Sequence, residues 1–311
     1  MVGAGAIGGF LAAALARAGQ EVAVVARGRH LDAIRRHGIR VQSDLGSFAV
    51  AVEASDSLNA LGEPEVLLLT FKAHQWPEFL PQLRRFANKN VTVVTLQNGL
   101  PFWFVRDPPL RSVDPGGEIG RLFPDTHVIG AVVHVSGHVA EPGLIRQSGG
   151  LRYVLGAPGG GSSPAVERLA AVFRVGGLAA EVDRQIRTTV WLKLVNNAGL
   201  NPVSVLTRSS VKPMLADPGA RALVRELMIE TLHVGQTIGA VREVDVEERI
   251  EYAARLDDVK TSMLQDFERH RTLELEPILG AVLELAARHG VAVPRMREVY
   301  ERLRQLTTAA P

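Results

Sequence analysis

A polar stripe within an apolar stretch contains the residue types best suited to chemistry. Lys193, Asn197 and Asn201 recur every four residues, so a helix would place all three on one face. Their neighbours are largely apolar, with Trp191 and Leu200 among them, which indicates a mostly buried helix. A lysine and two amides on such a helix either close a structural hydrogen-bond network or line a ligand cleft.

Burial would suit Lys193 to proton transfer. The pKa of a lysine falls when its charged form loses water, which brings proton donation closer to neutral pH. Carbonyl reduction needs such a donor, because the oxygen gains negative charge when a hydride reaches the carbon. Residue types alone leave both interpretations open, the structural network and the ligand cleft.

A hydroxyl and a carboxylate follow further along the chain. Ser262 lies in the run KTSMLQD, and Glu274 lies in the run TLELE downstream of it. Ser262 is either a ligand contact or a hydroxyl on a helix surface. The structural alternative for Glu274 is the first turn of a helix capped by Thr272, where the helix dipole favours a carboxylate.

A glycine-rich loop at the start of the sequence predicts a dinucleotide site. Gly3, Gly5 and Gly8 form the pattern GxGxxG, and Ala6 and Ile7 would begin the following helix. The three glycines allow a tight turn, close approach of a pyrophosphate, and close packing of helix on strand. The free N–H groups of the helix start favour the phosphates. The pattern by itself also fits a closely packed helix without a ligand.

The residue after the next strand distinguishes NADP from NAD. In NAD-binding proteins an acidic residue stands there, about 20 residues past the loop, and binds the ribose 2′-hydroxyl. Here the position holds Arg27, with Arg29 close by. A cation would pair with a 2′-phosphate, so the sequence predicts NADP. The alternative is that both arginines are solvated loop charges.

The strand before the glycine loop is unusually short. Only Met1 and Val2 precede the loop, whereas this strand is normally central and about five or six residues long. We therefore expect the natural chain to start upstream of Met1, a point that the sequence leaves open.

The spacing of apolar residues predicts an α/β fold with two domains. Short β-branched runs alternate with helical spacing in the N-terminal half, which indicates a Rossmann-type doubly wound sheet. Amphipathic helical patterns dominate after residue 182, which indicates an all-α C-terminal domain. We place an NADP-binding domain at residues 1–180 and a helical substrate and catalytic domain at 181–311. Strands are predicted at 21–26, 65–70, 91–97 and 127–133, and helices at 31–37, 76–86, 188–206, 220–238, 244–254 and 275–289.

The composition excludes several classes of site and partner. The 311 residues include no cysteine, which rules out disulfides and thiolate chemistry, and the nine histidines form no metal-binding cluster. Lysine and arginine number 35 against 33 aspartates and glutamates, without a basic block, so nucleic acid is not an expected partner. No apolar stretch reaches the roughly 18 residues of a membrane span and no signal peptide is evident, so a cytoplasmic location is expected by default. The oligomeric state is left open, because the apolar pattern at 275–287 suits either internal packing or a homodimer interface.

Taken together, these residues resemble the ketopantoate reductase (2-dehydropantoate 2-reductase) family over nearly the whole chain. The shared points are GAGAIGG at 3–9, FKA at 71–73, QNG at 97–99, the stretch 193–202, and SMLQD with its downstream Glu274. This set is far more specific than the glycine loop alone.

The resemblance implies a role for each matching residue. The glycine loop and Arg27 would bind the pyrophosphate and the 2′-phosphate, Lys72 would contact the cofactor, and Asn98 would reach both cofactor and substrate. Lys193 would give the proton to the carbonyl oxygen. Asn197 and Asn201 would bind substrate through their amides. Ser262 would bind the substrate carboxylate, and Glu274 would bind its hydroxyl and help to order the site.

The implied reaction is reduction of a small 2-oxo acid by NADPH, foremost 2-dehydropantoate to pantoate in pantothenate biosynthesis. The alternatives are a related NADP-dependent hydroxy-acid dehydrogenase with another substrate, and a non-catalytic NADP-binding regulator. The family pattern has asparagines where this chain has Val211 and Val259. Both differences lie where the substrate would be shaped.

Overall fold

The β-branched runs of the N-terminal half form the predicted strands. A computed structural model of the protein describes residues 1–87, 89–255 and 258–308. Compactness divides the chain into two units. The first comprises Met1–Gln97 and Glu118–Ile186, and the second comprises Asn98–Gly117 and Arg187–Pro311. This division falls at Ile186 rather than near residue 180, and it assigns 98–117 to the second unit. The predicted roles of the two domains stay predictions.

The first unit contains a twisted sheet flanked by helices. Its strands are β1 Ala23–Val25, β2 Ile39–Ser43, β3 Gly46–Val50, β4 Glu53–Ser55, β5 Val66–Leu69, β6 Thr92–Thr95, β7 Val128–Glu141, β8 Leu144–Gly156 and β9 Ala179–Val182. Its helices are α1 Ala6–Arg17, α2 Gly28–His37, α3 Trp76–Leu83, α4 Glu118–Leu122 and α5 Pro164–Val175.

Val2 occupies the centre of the parallel part of the sheet. It pairs in parallel with Val25 of β1 on one side and Leu69 of β5 on the other. The spatial order is therefore β4, β1, Val2, β5, β6, β7, with every pairing parallel. This is the doubly wound dinucleotide-binding order, in which ligands bind beyond the carboxyl ends of the central strands. The glycine loop leaves the sheet directly from Val2.

The rest of the sheet is mixed. Strands β7 and β8 form a long antiparallel hairpin. A second hairpin, β2 and β3, was not predicted from the sequence. Its residues are mostly polar or partly exposed, so they lack the continuous apolar run that predicted β1, β5, β6 and the start of β7. The short strands β4 and β9 were not predicted either.

The core of the first unit lies where α1 packs against β7 and β8. Phe10 and Leu11 of α1, Tyr153 of β8 and Phe173 of α5 are almost completely buried there. Burial of this apolar surface holds α1 close to the sheet and so determines where its N-terminus, which follows Gly5, is presented.

The second unit is helical, as predicted. Its helices are α6 Ile186–Thr207, α7 Val211–Ala216, α8 Pro218–Thr237, α9 Val246–Arg255, α10 Ser262–Glu268, α11 Ala281–His289 and α12 Pro294–Thr308, and a π-helical turn, Glu276–Gly280, precedes α11. The predicted all-α C-terminal fold is confirmed. In the part of the chain that the structure describes, no helix is long and apolar enough to cross a membrane.

Two glycines set the orientation of α6, the helix with the polar stripe. A Cβ added to Gly235 of α8 would lie 1.9 Å from Trp191 Nε1, and one added to Gly199 would lie 2.6 Å from Met228 Cγ. Trp191 Nε1 also donates a hydrogen bond to Thr231 O at 3.2 Å. Because Trp191 faces α8, a residue two positions later lies about 200° around the helix, away from α8.

The apolar residues of the predicted helix 275–289 are buried within the single chain. Leu275, Ile278, Val282 and Leu285 are each at most 6% exposed. The pattern allowed either internal packing or a homodimer interface, and these residues pack internally. Helical structure begins only at Leu275, so Glu274 precedes the first turn and does not occupy it.

Candidate active site

The glycine loop has the geometry of a phosphate-binding turn. Gly3 has a φ of 100°, and a Cβ on it would lie 2.9 Å from Phe71 N. A Cβ on Gly8 would lie 2.3 Å from Thr70 Oγ1. A Cβ on Gly5, in contrast, would meet nothing within 4 Å. Two glycines are thus needed for packing, and Gly5 leaves open space in front of the helix.

The start of α1 suits an anion. The first helical hydrogen bond runs from Gly9 N to Gly5 O at 2.7 Å, so the N–H groups of Ala6 and Ile7 have no acceptor within the helix. The first turn of α1 contains no acidic residue. The residues present therefore fit the pyrophosphate of a dinucleotide, as the motif predicts.

His30 ties the glycine loop to the β7–β8 turn. Its Nδ1 accepts a hydrogen bond from Gly143 N at 3.0 Å, so its Nε2 carries the proton and donates to Ala4 O at 2.7 Å. His30 was not predicted from the sequence to be a site residue. Its position three residues after Arg27, on the same helical turn, was the available signal.

Arg27 and Lys72, the two predicted cofactor cations, follow β1 and β5, the strands on either side of Val2. Arg27 comes at the end of β1, where its guanidinium forms an ion pair with Glu78 and lies over the ring of Phe79, 4.9 Å from the centroid. Lys72 follows β5, and its backbone N–H is held by Gln75 Oε1 at 2.9 Å. Arg27 is therefore held in place by its neighbours and is not a purely solvated loop charge.

In the second unit, three sequence-predicted residues from distant parts of the chain meet. Lys193 Nζ donates to Asn98 Oδ1 at 3.0 Å, and Asn98 Nδ2 lies 3.5 Å from Glu274 Oε2. Glu274 is 9% exposed and Lys193 is partly buried. We call these three residues the Lys193 cluster.

The surroundings of Lys193 shift its protonation toward neutral pH. Burial lowers the pKa of Lys193 to about 8, because the charged form loses water, and the Glu274 carboxylate opposes this by favouring the charge. The lysine is therefore still largely protonated at pH 7, and it gives up its proton more readily than a solvated lysine does.

A backbone contact positions both Asn98 and Glu274. Gly99 has a φ of 81°, and its Cα lies so close to Pro277 that an added Cβ would be 2.3 Å from Pro277 O. Leu100 N donates to the same carbonyl at 2.8 Å. Pro277 belongs to the π-helical turn that begins two residues after Glu274. Such turns are frequent at functional sites. Because Gly99 and Leu100 contact Pro277, this turn fixes the position of Asn98 relative to Glu274.

The far end of the polar stripe is tied to α10. Ser204 Oγ donates to Asn201 O at 2.7 Å and lies 2.6 Å from Thr261 Oγ1. Thr261 in turn caps α10 by accepting from Leu264 N at 3.1 Å. Ser262, the first residue of α10, is thus held next to the end of the stripe.

Asn196 and Asn197 differ in a way that bears on the network and cleft interpretations. Asn196 Oδ1 accepts a hydrogen bond from Arg249 Nη1 at 3.1 Å, so Asn196 belongs to a structural network. Within residues 1–87, 89–255 and 258–308, the Asn197 amide has no hydrogen-bond partner. The stripe residue is therefore the one whose amide can bind a ligand. In the same ranges, no group of His, Asp or Glu side chains could hold a metal ion.

Two family models match most of the chain. Residues 1–160 match the family described as ketopantoate reductase PanE/ApbA, and residues 185–307 match its C-terminal domain. The chain belongs to the ketopantoate reductase family. The 2-dehydropantoate 2-reductase of Mesorhizobium japonicum is 39% identical to it, over 98% of this chain and 96% of that one. The resemblance found in the sequence is thereby confirmed.

Solved structures confirm the fold. The crystal structure of 2-dehydropantoate 2-reductase from Methylococcus capsulatus is 30% identical and covers 100% of this chain and 97% of its own, with a TM-score of 0.85. A D-mandelate dehydrogenase structure with NADH and anilino(oxo)acetate has the same TM-score of 0.85 at 21% identity, with 99% of each chain covered. At that identity it shows the fold alone.

Replacing Gly99 should disturb the Lys193 cluster. In Gly99→Ala the left-handed backbone becomes strained and the Cβ collides with Pro277 O, so the turn must move and take Asn98 with it. We expect kcat to fall about 10- to 100-fold, since a shift of about 1 Å at a reacting group has effects of that size. Steady-state kinetics measure this.

Gly116 provides the matched control. It has a φ of 77° in the same segment, but an added Cβ would meet nothing within 4 Å. Gly116→Ala should therefore carry a similar backbone strain and retain most of the activity. Equal loss in both variants would contradict a specific role for the Gly99–Pro277 contact.

Proposed function

We propose that this protein reduces a 2-oxo acid to the corresponding 2-hydroxy acid with NADPH, and that its substrate is 2-dehydropantoate, which becomes pantoate. The Lys193 cluster supports this best, because it joins a proton donor of lowered pKa to an amide and a carboxylate. Membership of the ketopantoate reductase family supports the same reaction.

The cofactor is a nicotinamide dinucleotide, and we assign it as NADPH. The open space at Gly5 and the free N–H groups of α1 suit a pyrophosphate. Arg27 supplies a cation where an NAD-binding protein has an acidic residue, and Lys72 supplies a second one. When bound, NADPH supplies the hydride that adds to the carbonyl carbon of the substrate.

Lys193 is the proposed proton donor to the carbonyl oxygen. As that oxygen gains negative charge, the ammonium first stabilises it through a charge-assisted hydrogen bond and then transfers a proton. Asn98 Oδ1 accepts one of the three N–H bonds of Lys193, which restricts where the others point. Glu274 keeps the lysine charged until transfer, because its carboxylate counteracts the desolvation of the ammonium.

The stripe and the start of α10 are proposed to bind the substrate. The amides of Asn197 and Asn201 and the hydroxyl of Ser262 can donate hydrogen bonds to carboxylate or carbonyl oxygens. Glu274 can accept a hydrogen bond from a substrate hydroxyl. A non-catalytic regulator would need none of these groups beside a lysine of lowered pKa, which disfavours that alternative.

A different 2-oxo acid is the second candidate substrate. Val211 N donates to Val259 O at 3.0 Å, so the two positions at which this chain departs from the family pattern are neighbours. Two adjacent valines offer no side-chain hydrogen bond to a polar substrate substituent, and they favour an apolar one. A panel of branched 2-oxo acids with and without a terminal hydroxyl separates the two candidates.

Loss of the proton donor should abolish turnover and leave cofactor binding intact. Purified protein should oxidise NADPH when 2-dehydropantoate is added, and Lys193→Ala should lower kcat by about 100- to 10,000-fold, the usual contribution of a positioned general acid. The Kd for NADPH, followed by its fluorescence, should change little. Undiminished turnover in this variant would refute the role of Lys193.

The pH dependence should have opposite signs in the two directions. Reduction requires protonated Lys193, so kcat/KM should be level at low pH and fall as pH rises through about 8. Oxidation of the hydroxy acid requires the neutral amine and should rise over the same interval. Rates measured from about pH 6 to about pH 10 test this, and a reduction rate that stays level throughout would contradict proton donation by Lys193.

The adjacent asparagines should respond differently to alanine. Asn197→Ala should raise KM for the 2-oxo acid about 10- to 150-fold, because a hydrogen bond to a charged group is worth roughly 1.5–3 kcal/mol. Asn196→Ala removes a bond to Arg249 instead, so it should lower the melting temperature and leave KM nearly unchanged. Equal KM values for the two variants would exclude Asn197 from the substrate site.

A further inference from the structure

The proposed 2′-phosphate cation has a carboxylate beside it. Arg27 Nη2 and Glu78 Oε1 form an ion pair in which the side chains are 44% and 48% exposed, respectively. Glu78 lies in the first turn of α3, and it belongs neither to the motifs described above nor to the residues of the proposed reaction. It is therefore a charge within reach of a proposed ligand group and without a role so far.

Packing holds Glu78 next to Arg27. The ring of Phe71 lies edge-on to Trp76 at 5.0 Å and stacks on Phe79 at 4.6 Å, which attaches the first turn of α3 to the end of β5. The Arg27 guanidinium lies over the other partner in this stack, Phe79. Because Glu78 is bracketed by these buried aromatic residues, its backbone cannot move the carboxylate far from Arg27.

The two possible adenosine groups interact with this pair in opposite ways. A ribose 2′-phosphate carries nearly two negative charges, so on Arg27 it would be repelled by the neighbouring Glu78 carboxylate. A ribose 2′-hydroxyl carries no charge and can donate a hydrogen bond to a carboxylate. The Glu78 carboxylate therefore weakens binding of NADP, which carries the 2′-phosphate, and does not weaken binding of NAD, which carries the 2′-hydroxyl.

We propose that Glu78 is a specificity-determining residue that competes with the 2′-phosphate for Arg27 and so narrows the preference for NADP over NAD. This inference rests on the proposed function, in which Arg27 binds the 2′-phosphate. It predicts that removing the negative charge at position 78 increases the preference for the phosphorylated cofactor.

Binding of two adenosine fragments tests this without turnover. Adenosine 2′,5′-bisphosphate and adenosine 5′-monophosphate differ only in the 2′-phosphate, and titration calorimetry on the full chain gives both Kd values. In Glu78→Gln, affinity for the bisphosphate should rise about 3- to 10-fold at low ionic strength, and affinity for the monophosphate should stay within about twofold. The ratio of the Kd values for NADPH and NADH should shift equally.

Glu181→Gln is the matched control. Glu181 is paired with Arg152 in the same unit, at side-chain exposures of 53% and 48%, so its replacement makes the same charge change in a similar ion pair. It should alter neither affinity. Glu78→Ser serves as a second variant if Glu78→Gln is unstable in a thermal melt.

The outcomes separate this inference from the proposed function. An unchanged ratio in Glu78→Gln, or weaker binding of the bisphosphate, would overturn the role of Glu78. Equal affinity of the wild-type protein for the two fragments would contradict the proposed preference of the wild-type protein for NADP. Even then, a gained preference for the bisphosphate in Glu78→Gln would support competition by Glu78, and no gain would overturn it.

Discussion

The burial of the Lys193 ammonium is the constraint on which the second unit depends. A charged amine removed from water is costly unless it is hydrogen-bonded and lies near an opposite charge. Asn98 meets the first need and Glu274 the second. Neither residue is close to Lys193 in sequence, so the chain must bring a segment that follows β6 and a segment that precedes α11 onto the same helix.

The close contacts in the second unit serve that requirement. Trp191 packs directly against Gly235 of α8, so the polar stripe that begins at Lys193 faces away from α8. On α11, Glu284 accepts hydrogen bonds from Arg111 N at 2.9 Å and from Ser112 N at 3.0 Å, which anchors the segment that starts at Asn98. Burial alone would raise the pKa of the Glu284 carboxyl group, but these backbone hydrogen bonds and the one from Arg288 lower it by more. Rigid support of this kind maintains the lowered pKa of Lys193, because the groups that surround the ammonium cannot move away from it.

Those parts of the protein that are encoded locally could be predicted from its sequence. The spacing of Lys193, Asn197 and Asn201 indicated a helix face, and the β-branched runs indicated the parallel strands, because both periodicities are properties of neighbouring residues. The GxGxxG pattern likewise specified a turn whose three glycines have the expected surroundings.

Features decided by distant contacts were not predictable in this way. Residues 98–117 follow a strand of the first unit and yet pack with the second, because their partners are Pro277 and Glu284. The role of His30 depends on Gly143, which is more than a hundred positions away. The pairing of Glu78 with Arg27 depends on the stacking of Phe71 on Phe79, which no local sequence pattern specifies.

The Arg27–Glu78 pair and the Lys193 cluster differ in how far their charges are exposed to solvent. The Arg27–Glu78 pair is about half exposed. Salt or a substitution can therefore change the strength of this ion pair with little effect on folding. The Lys193 cluster is largely buried, where removal of one member leaves another without its partner. Under the roles proposed for these residues, cofactor preference can therefore change through single surface substitutions, whereas the arrangement around Lys193 resists change. Val259, one of the two positions proposed to shape the substrate, is likewise about half exposed, at 49%. On physical grounds, the reaction is the most strongly determined property of this chain, and its substrate and cofactor preferences are the most adjustable.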